Sequence, residues 1–483
     1  MTEGVRGGQG SRLGEVTIFA GIDTRLSAMT STTQLYTYLR SSAVSESADG
    51  RALALETSGG ATPAGAAAHP RLFSGFLTAP VPAAVALLAV ADVAAARYHL
   101  PRASSSLDPV VTANGDRLRF ESFSGCCGVY ARLDVLAPGL DGDEAGHGTT
   151  NVDVNPPLRR ALARLGGVDP LHLAVGPEAV EVRTFDGRFV EKKVPLPRRW
   201  VRGFAEAQVL AAGFEPRAEV PAAEAAAVLR ALPRSSGARA THWVVPVGRT
   251  LRPASRPAPG AVCLPGPERL LMLRQVLRHA SVLRVYAPIT AGQDAAAVAW
   301  EVVLPGMRLT LLLSQDASRG FSGEGGVLND LAAGQAADDA ELVSALLAWE
   351  PAVDVAELAR QAELPPERVR AALTVLGAGG QIGYDLAEEA YFHRSLPYSV
   401  GRVEADNPRL RGARALVAEG AVRLDGTLAT VGKDDHVQVV RMAEAGRLSC
   451  TCLWWAKYRG GRGPCKHALA VRMVRDAMAE EAR

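Results

Sequence analysis

The chain is poor in aromatic residues: Phe, Trp and Tyr make up 5% of its 483 residues. Its cores must therefore be built mainly from Ala, Val and Leu. It also lacks a dominant charge, with 53 Lys and Arg against 51 Asp and Glu and a formal net charge of +2. That balance excludes a nucleic-acid field spread over the whole surface and confines any basic footprint to a local patch. Cysteine is scarce, six in all, which excludes a disulfide framework in a chain this long. The expectation is a reducing cytoplasm, with thiols free or on metal. Long apolar runs are missing too. The longest, from Val81 to Ala96, is dominated by Ala and interrupted by Asp92. It falls short of the roughly 20 apolar residues that span a bilayer, so no membrane is expected as a partner. No apolar leader opens the chain: residues 1–28 are Gly-rich with scattered Arg, and Met29 is an alternative start. The catalytic signatures H-E-x-x-H, G-x-S-x-G and G-x-G-x-x-G are absent. Gly426 to Lys433 is only superficially a phosphate loop, because Asp434 stands where Ser or Thr is required.

What is present is ample apolar material, 48% of residues, enough for roughly three domains by length. The patterning predicts an α+β multidomain chain. A disordered tail covers 1–45, with a Ser/Gly/Ala/Thr-rich loop running on to about 70. A mixed N-terminal α+β region covers 46–157, with a buried helix from 81 to 98, a strand pair from Arg117 to Val135 and a loop at 137–157. A central α+β domain covers 158–326. It has a hairpin at Asp186-Gly187, helices at 201–212 and 221–231, and strands at 240–247, 282–287 and 297–314, the last folded back at Pro305-Gly306. Gly320 to Gly326 reads as a flexible boundary. The pattern then turns helical over 327–400, and 401–483 mixes helix, strands and a final helix begun by Pro464.

The chemistry is concentrated in residues 450–467, which read C-x-C-x12-C-x-H. Cys450, Cys452, Cys465 and His467 offer four soft or borderline donors as two close pairs, which is what a tetrahedral zinc site needs. The first pair falls at the end of a strand and the second in the first turn of a helix. The positive end of that helix favours a thiolate at Cys465. Ala470, Val471, Val474 and Met478 share a helical face that can pack on the strands upstream. The four protein donors leave no position for an activated water, so the site reads as structural and not catalytic.

This pattern, with its preceding strands and the run Cys465-Lys466-His467-Ala468-Leu469-Ala470-Val471, resembles the SWIM zinc finger, a ββα unit. The whole chain, with a long α+β region ahead of a C-terminal finger, resembles the bacterial, mostly actinobacterial, SWIM proteins. The resemblance implies a recognition module for nucleic acid or protein. It also implies partners of the AAA-type ATPase and von Willebrand A-like classes, for which the chain would act as scaffold. Between Arg447 and Arg475 the finger carries seven basic residues, including Lys457, Arg459, Arg462 and Lys466, and no acidic one. Trp454, Trp455 and Tyr458 are interleaved. Such residues can contact DNA or RNA phosphates and stack on bases; the plainer expectation is that the tryptophans cover the metal site.

Three helices followed by a hairpin over 338–394 resemble a winged helix. Asp354 is a fitting cap for the second helix. Arg368 and Arg370 lie on the third, where a DNA reader would place them. Yet the segment holds eleven acidic residues against four Arg, with Asp385, Glu388 and Glu389 in the wing. An acidic wing repels phosphate, so a structural or protein-binding role is expected. Cys126, Cys127 and Cys263 are expected to be buried core residues, since neighbours on a strand point to opposite faces. His147 and His172 have no ligand-like partners nearby in sequence. Asp141, Asp143 and Glu144 lack calcium-loop spacing and read as a solvated loop. The chain is thus expected to be a cytoplasmic, non-enzymatic zinc protein; the other class of reading is an enzyme whose site lies within 100–320.

Overall fold

The centre of the molecule is an eight-stranded antiparallel sheet. The computed structural model describes residues 71–99, 109–143, 145–233, 241–289, 292, 295–347, 352–396, 403–433, 436–443 and 447–481, and the backbone of four short strands between 43 and 67. The expected tail over 1–45 lies almost wholly outside the described residues, as does Glu144. The strands at 43–67 pair two by two where a loop was expected.

In spatial order the central sheet runs His147–Asn151, Val110–Asn114, Arg117–Phe123, Val129–Leu136, Met307–Leu313, Val298–Leu304, Val282–Pro288 and Phe214–Pro221. Both expected hairpins form, at Gly306 and between Ala179–Thr184 and Gly187–Lys192. Two sequence expectations are corrected. The segment 137–157 is not a loop, because it supplies Leu140–Gly142 to a five-stranded sheet and His147–Asn151 to the central one. No sheet boundary falls at 157/158 either: Val129–Leu136 pairs along its length with Met307–Leu313. Strands 170 residues apart in sequence complete each other, and a linear scan of composition does not register that.

Strand alternation divides the central sheet into two unlike faces. One is apolar: Leu118, Phe120, Leu133, Val135, Leu309, Leu311, Trp300 and Val302 pack on the helix Pro80–Ala95 and on the second sheet. The other carries Arg117, Arg119, Glu121, Arg132, Asp134, Glu301 and Arg308, and it too is buried. Its cover is the hairpin Ile382–Asp385 with Ala390–His393.

That hairpin ends the helices Ala336–Leu346, Val355–Ala362 and Pro366–Ala378, which form in the expected order. Asp354 caps the second helix through the N–H groups of Ala356 and Glu357. Of the hairpin's acids Asp385 is buried, while Glu388 and Glu389 stay at the surface. Asp385 accepts bonds from Arg119 and Arg308, each at 2.9 Å, and lies 3.0 Å from Arg132. Glu388 accepts from Arg117 at 2.5 Å and from Arg308 at 3.1 Å. Burial pushes the Asp385 carboxyl up, but Arg132, Arg119 and Arg308 outweigh it and hold the group well below the carboxylate range. On the third helix Arg368 is held by Asp339.

The expected boundary at Gly320–Gly326 is also tightly packed. Phe321 is fully buried, and a side chain at Gly320 would strike the Cys126 carbonyl oxygen. A second core joins the helices to the C-terminal segment, with Val343, Val369, Leu373 and Leu376 in one cluster with Leu469 and Val471. The expected domains 327–400 and 401–483 therefore share a core. Among the described residues no helix is long and apolar enough to cross a membrane.

Candidate metal centre

The C-terminal segment opens with the helix Pro408–Ala418. A four-stranded antiparallel sheet follows: Val422–Asp425, Leu428–Val431, Gln438–Met442 and Leu448–Cys450. Gly426 takes the positive φ that the tight turn after Asp425 requires. Cys450 ends the last strand, and two residues later Cys452 stands at the N-cap of a short helix, Leu453–Tyr458. This helix, within the 12-residue spacer, is an addition to the sequence expectation. It stops at Arg459 in the left-handed region, and Gly460 and Gly463, both at positive φ, turn the chain back. Pro464 and Cys465 then enter the last helix, Lys466–Glu481, with His467 in its first turn.

These turns bring together the four residues singled out from sequence. One donor atom from each of Cys450, Cys452, Cys465 and His467 lies within 4.8 Å of the others. Cys450 Sγ is 3.8 Å from His467 Nδ1. A tetrahedral ion with metal–sulfur bonds of about 2.3 Å needs donors spaced by about 3.8 Å, so the cluster fits with slight contraction. All three thiols are buried. Cys450 donates to Cys465, which raises the first thiol and lowers the second. The Ala468 N–H also points at Cys465 Sγ from 3.4 Å. A cation replaces that shared proton in the chemistry of such a donor set.

Below the centre, Ala468, Leu469, Ala470 and Val471 are buried against the sheet. Met478, expected on the same face, is 57% exposed because the helix outruns the sheet. Trp454 and Trp455 are half-buried against this core, and Trp454 also lines the cleft beside the ligands. Beside the ligands opens a cleft of about 470 Å³, lined by Arg409, His436, Gln438, Leu453, Trp454 and Lys466 with three of the ligands.

The basic residues divide. Lys457, Arg459 and Lys466 are exposed, and among the described residues no carboxylate forms an ion pair with them. Arg462 is spent internally: it donates to the Gly323 carbonyl at 2.5 Å and pairs with Glu324 at 3.5 Å. Arg472 pairs with Asp476. Sequence reasoning missed Arg409. Its guanidinium lies 4.3 Å from the Trp454 ring and donates to the carbonyls of Arg462, Pro464 and Glu324. No short motif marks it, since its partners are backbone atoms from two distant loops. Of the other residues weighed, His172 stacks edge-on against Phe76 and Cys263 is buried.

Two solved structures are similar to part of this chain. Proliferating cellular nuclear antigen from Entamoeba histolytica matches with TM-score 0.34 and 9% identity, over 51% of this chain and 99% of that one. The PCNA2–PCNA3 complex from Sulfolobus tokodaii matches with TM-score 0.36 and 9% identity, over 50% and 98%. Both scores lie below 0.5, and neither likeness assigns a function here. No curated protein matches the chain. One family model does: residues 436–471 match the SWIM zinc finger, and that span holds all four ligands and the strands that present them. The chain carries a C-terminal SWIM zinc finger.

Proposed function

We propose that the centre holds a structural Zn²⁺ and that the finger it organises binds nucleic acid through its phosphates. Three thiols and an imidazole are the donor set zinc prefers, and four protein donors leave no position for substrate or water. The ion therefore supplies folding energy, and the protein works by recognition in the cytoplasm without catalysis of its own. The observation that carries the binding reading is the exposure of Lys457, Arg459 and Lys466, which have no acidic partner among the described residues. The partly exposed rings of Trp454 and Tyr458 lie beside them, 4.5 Å apart. Phosphates neutralise such charges and release counterions, while a ring offers a base a stacking surface.

The test has two parts. Metal analysis of the purified chain should find one zinc per molecule, lost in the Cys450→Ala/Cys465→Ala double variant; full retention would remove the assignment. Anisotropy with labelled single- and double-stranded DNA and RNA, read against salt, should then show binding that weakens in Lys457→Ala/Arg459→Ala. Absence of binding at low salt would transfer the finger to the second reading, a protein partner. Leu453 favours that reading: it is 90% exposed at the rim of the cleft, an apolar anchor of the kind interfaces bury. The AAA-type ATPase and von Willebrand A-like proteins implied by the family resemblance are the partners to test first.

A further inference from the structure

The cleft beside the metal centre is far larger than an ion needs. The four donors lie within 4.8 Å of one another, whereas the cleft encloses about 470 Å³. That volume falls in the range of about 300–1,000 Å³ found for small-ligand sites. Four elements wall it: the helix Pro408–Ala418 with Arg409, the strand at Gln438 with His436 before it, the short helix with Leu453 and Trp454, and the last helix with Lys466. These walls are fixed in place. The Trp454 ring lies under the Arg409 guanidinium, and its indole N–H donates to the Gly463 carbonyl at 3.4 Å. Arg409 is itself held by three carbonyls, so it serves as wall and charge and not as a free donor.

The polar groups left in the lining are donors. A Cβ at Gly412, three residues along from Arg409 on the same helix, would meet Lys466 Cδ at 3.2 Å, so the stem of Lys466 lies along that helix. Its ammonium has only hydrogens to offer. The Gln438 carboxamide oxygen accepts from the Thr451 hydroxyl at 2.9 Å, which orients the amide and leaves its NH2 group as the donor. The His436 imidazole can donate as well. Among the described residues no carboxylate lines the cleft; Glu206 and Glu324 face Arg409 but stand outside the lining. With an ion bound, three thiolates against a divalent cation leave one negative charge in excess at the centre. Lys466 offsets it at the cleft wall, and Lys457 and Arg459, at the end of the helix that carries Trp454, keep the region positive. Such a set of donors, with an aromatic side chain beside it, suits an anion attached to a flat, partly apolar group.

We propose that the cleft receives the phosphorylated end of a single nucleic-acid strand, one terminal nucleotide with its phosphomonoester; this rests on the nucleic-acid reading above and names which part of the strand the finger takes. An internal phosphodiester carries one charge and a nucleotide on either side. A terminal phosphomonoester carries about −1.5 to −2 and three acceptor oxygens, and only one nucleotide has to follow it into the cleft. Lys466 and the Gln438 amide hold the phosphate, with His436 beside them, and the Trp454 and Leu453 side chains give the sugar and base an apolar wall. An unpaired end suits this cleft better than a duplex, because its base is not stacked or paired and is free to enter. Lys457 and Arg459 lie outside the lining and meet the phosphates further along the strand.

The test uses the full zinc-loaded chain and thymidine oligonucleotides of one length in four forms: 5′-phosphate, 3′-phosphate, hydroxyl at both ends, and closed into a circle. Anisotropy competition gives the affinity of each. One phosphate-ended form should bind about tenfold more tightly than the hydroxyl-ended form and the circle, the gain of one charge-assisted contact. A nucleoside monophosphate should compete that gain away. Gln438→Glu keeps the shape and the Thr451 bond but sets an acid in the cleft, and it should erase the gain while zinc stays at one per chain; Lys466→Gln, from the opposite helix, should do the same. Lys457→Ala/Arg459→Ala should weaken all four forms and leave their ratio unchanged. Equal affinity for all four forms overturns the end-binding proposal and leaves the nucleic-acid reading standing. So does a gain that survives both cleft variants. If none of the four binds at low salt, the proposal and the reading beneath it both fall.

Discussion

Replacing Asp385 with Asn should release the hairpin that roofs the central sheet. The carboxylate is 1% exposed and lies within 3.0 Å of Arg119, Arg132 and Arg308, with Arg117 at 3.7 Å. An amide keeps the shape but removes the charge that neutralises this group. Two charge-assisted bonds, from Arg119 and Arg308, are worth about 1.5–3 kcal/mol each. Removing one member of a buried ion pair typically costs about 3–5 kcal/mol, because the surviving cations stay buried. The two figures agree on a loss of about 3–5 kcal/mol. Urea unfolding of wild type and Asp385→Asn measures it, and hydrogen exchange over 382–393 shows where it falls. Arg119→Met alone should also destabilise, but the double variant should lose less than the sum, since each change removes the other's unpaired charge. A loss under about 1 kcal/mol, or strictly additive effects, would refute the reasoning and mean that the arginines are solvated. The pH sign follows from the same contacts. The folded Asp385 is held below its unfolded value, so its contribution is complete above about pH 4 and is lost only as pH falls below that.

Three further outcomes are expected. Burial raises Glu206 to about 8, so between about pH 4.5 and 8 the folded chain holds a proton that the unfolded chain has lost. Its contribution to stability therefore falls as pH rises through that window, and Glu206→Gln should flatten the slope of unfolding free energy against pH; an unchanged slope would count against it. Chelation, or Cys465→Ala, should unfold 436–471, since structural zinc contributes about 10–16 kcal/mol of apparent binding energy in finger peptides; hydrogen exchange should show the central sheet keeping its protection, and loss of that protection would contradict the separation. Lys457→Ala/Arg459→Ala should reduce the log–log salt slope of duplex DNA binding by about 1.8, whereas Arg462→Ala should act on stability, because that side chain is spent on Gly323 and Glu324.

The metal centre was legible because its information is local. Four donors, two short spacings and a proline before the last helix lie within 18 residues, and no distant part of the chain is needed to bring them together. Hairpins at Asp186-Gly187 and Pro305-Gly306 were legible for the same reason. The charged face of the central sheet was not. In Arg117-Leu118-Arg119-Phe120-Glu121 the alternation marks one apolar and one polar face, and a polar face ordinarily meets water. Here it meets Asp385 and Glu388, more than 260 residues away. Neither half alone predicts the other; only their complementarity, which no window of sequence contains, buries Asp385 together with the arginines.

The same long-range logic governs how the finger is attached. Arg462 reaches out of it to the Gly323 carbonyl, and Arg409, on the helix that precedes it, reaches the Glu324 carbonyl, both in the segment that follows the central sheet. Gly463 sits so close to that segment that a side chain there would meet the Gly325 carbonyl oxygen. These contacts gather on the loop between Tyr458 and Cys465, whose path is set by one ligand at its end and another six residues before it, Cys452 at the start of the short helix. An ion that closes the four donors therefore also fixes the loop that docks on the body of the molecule. Loss of metal should free both the basic surface and its attachment, which is why the binding test must be run on the metal-loaded chain and why Arg462, though basic and in the finger, is spent on the anchor.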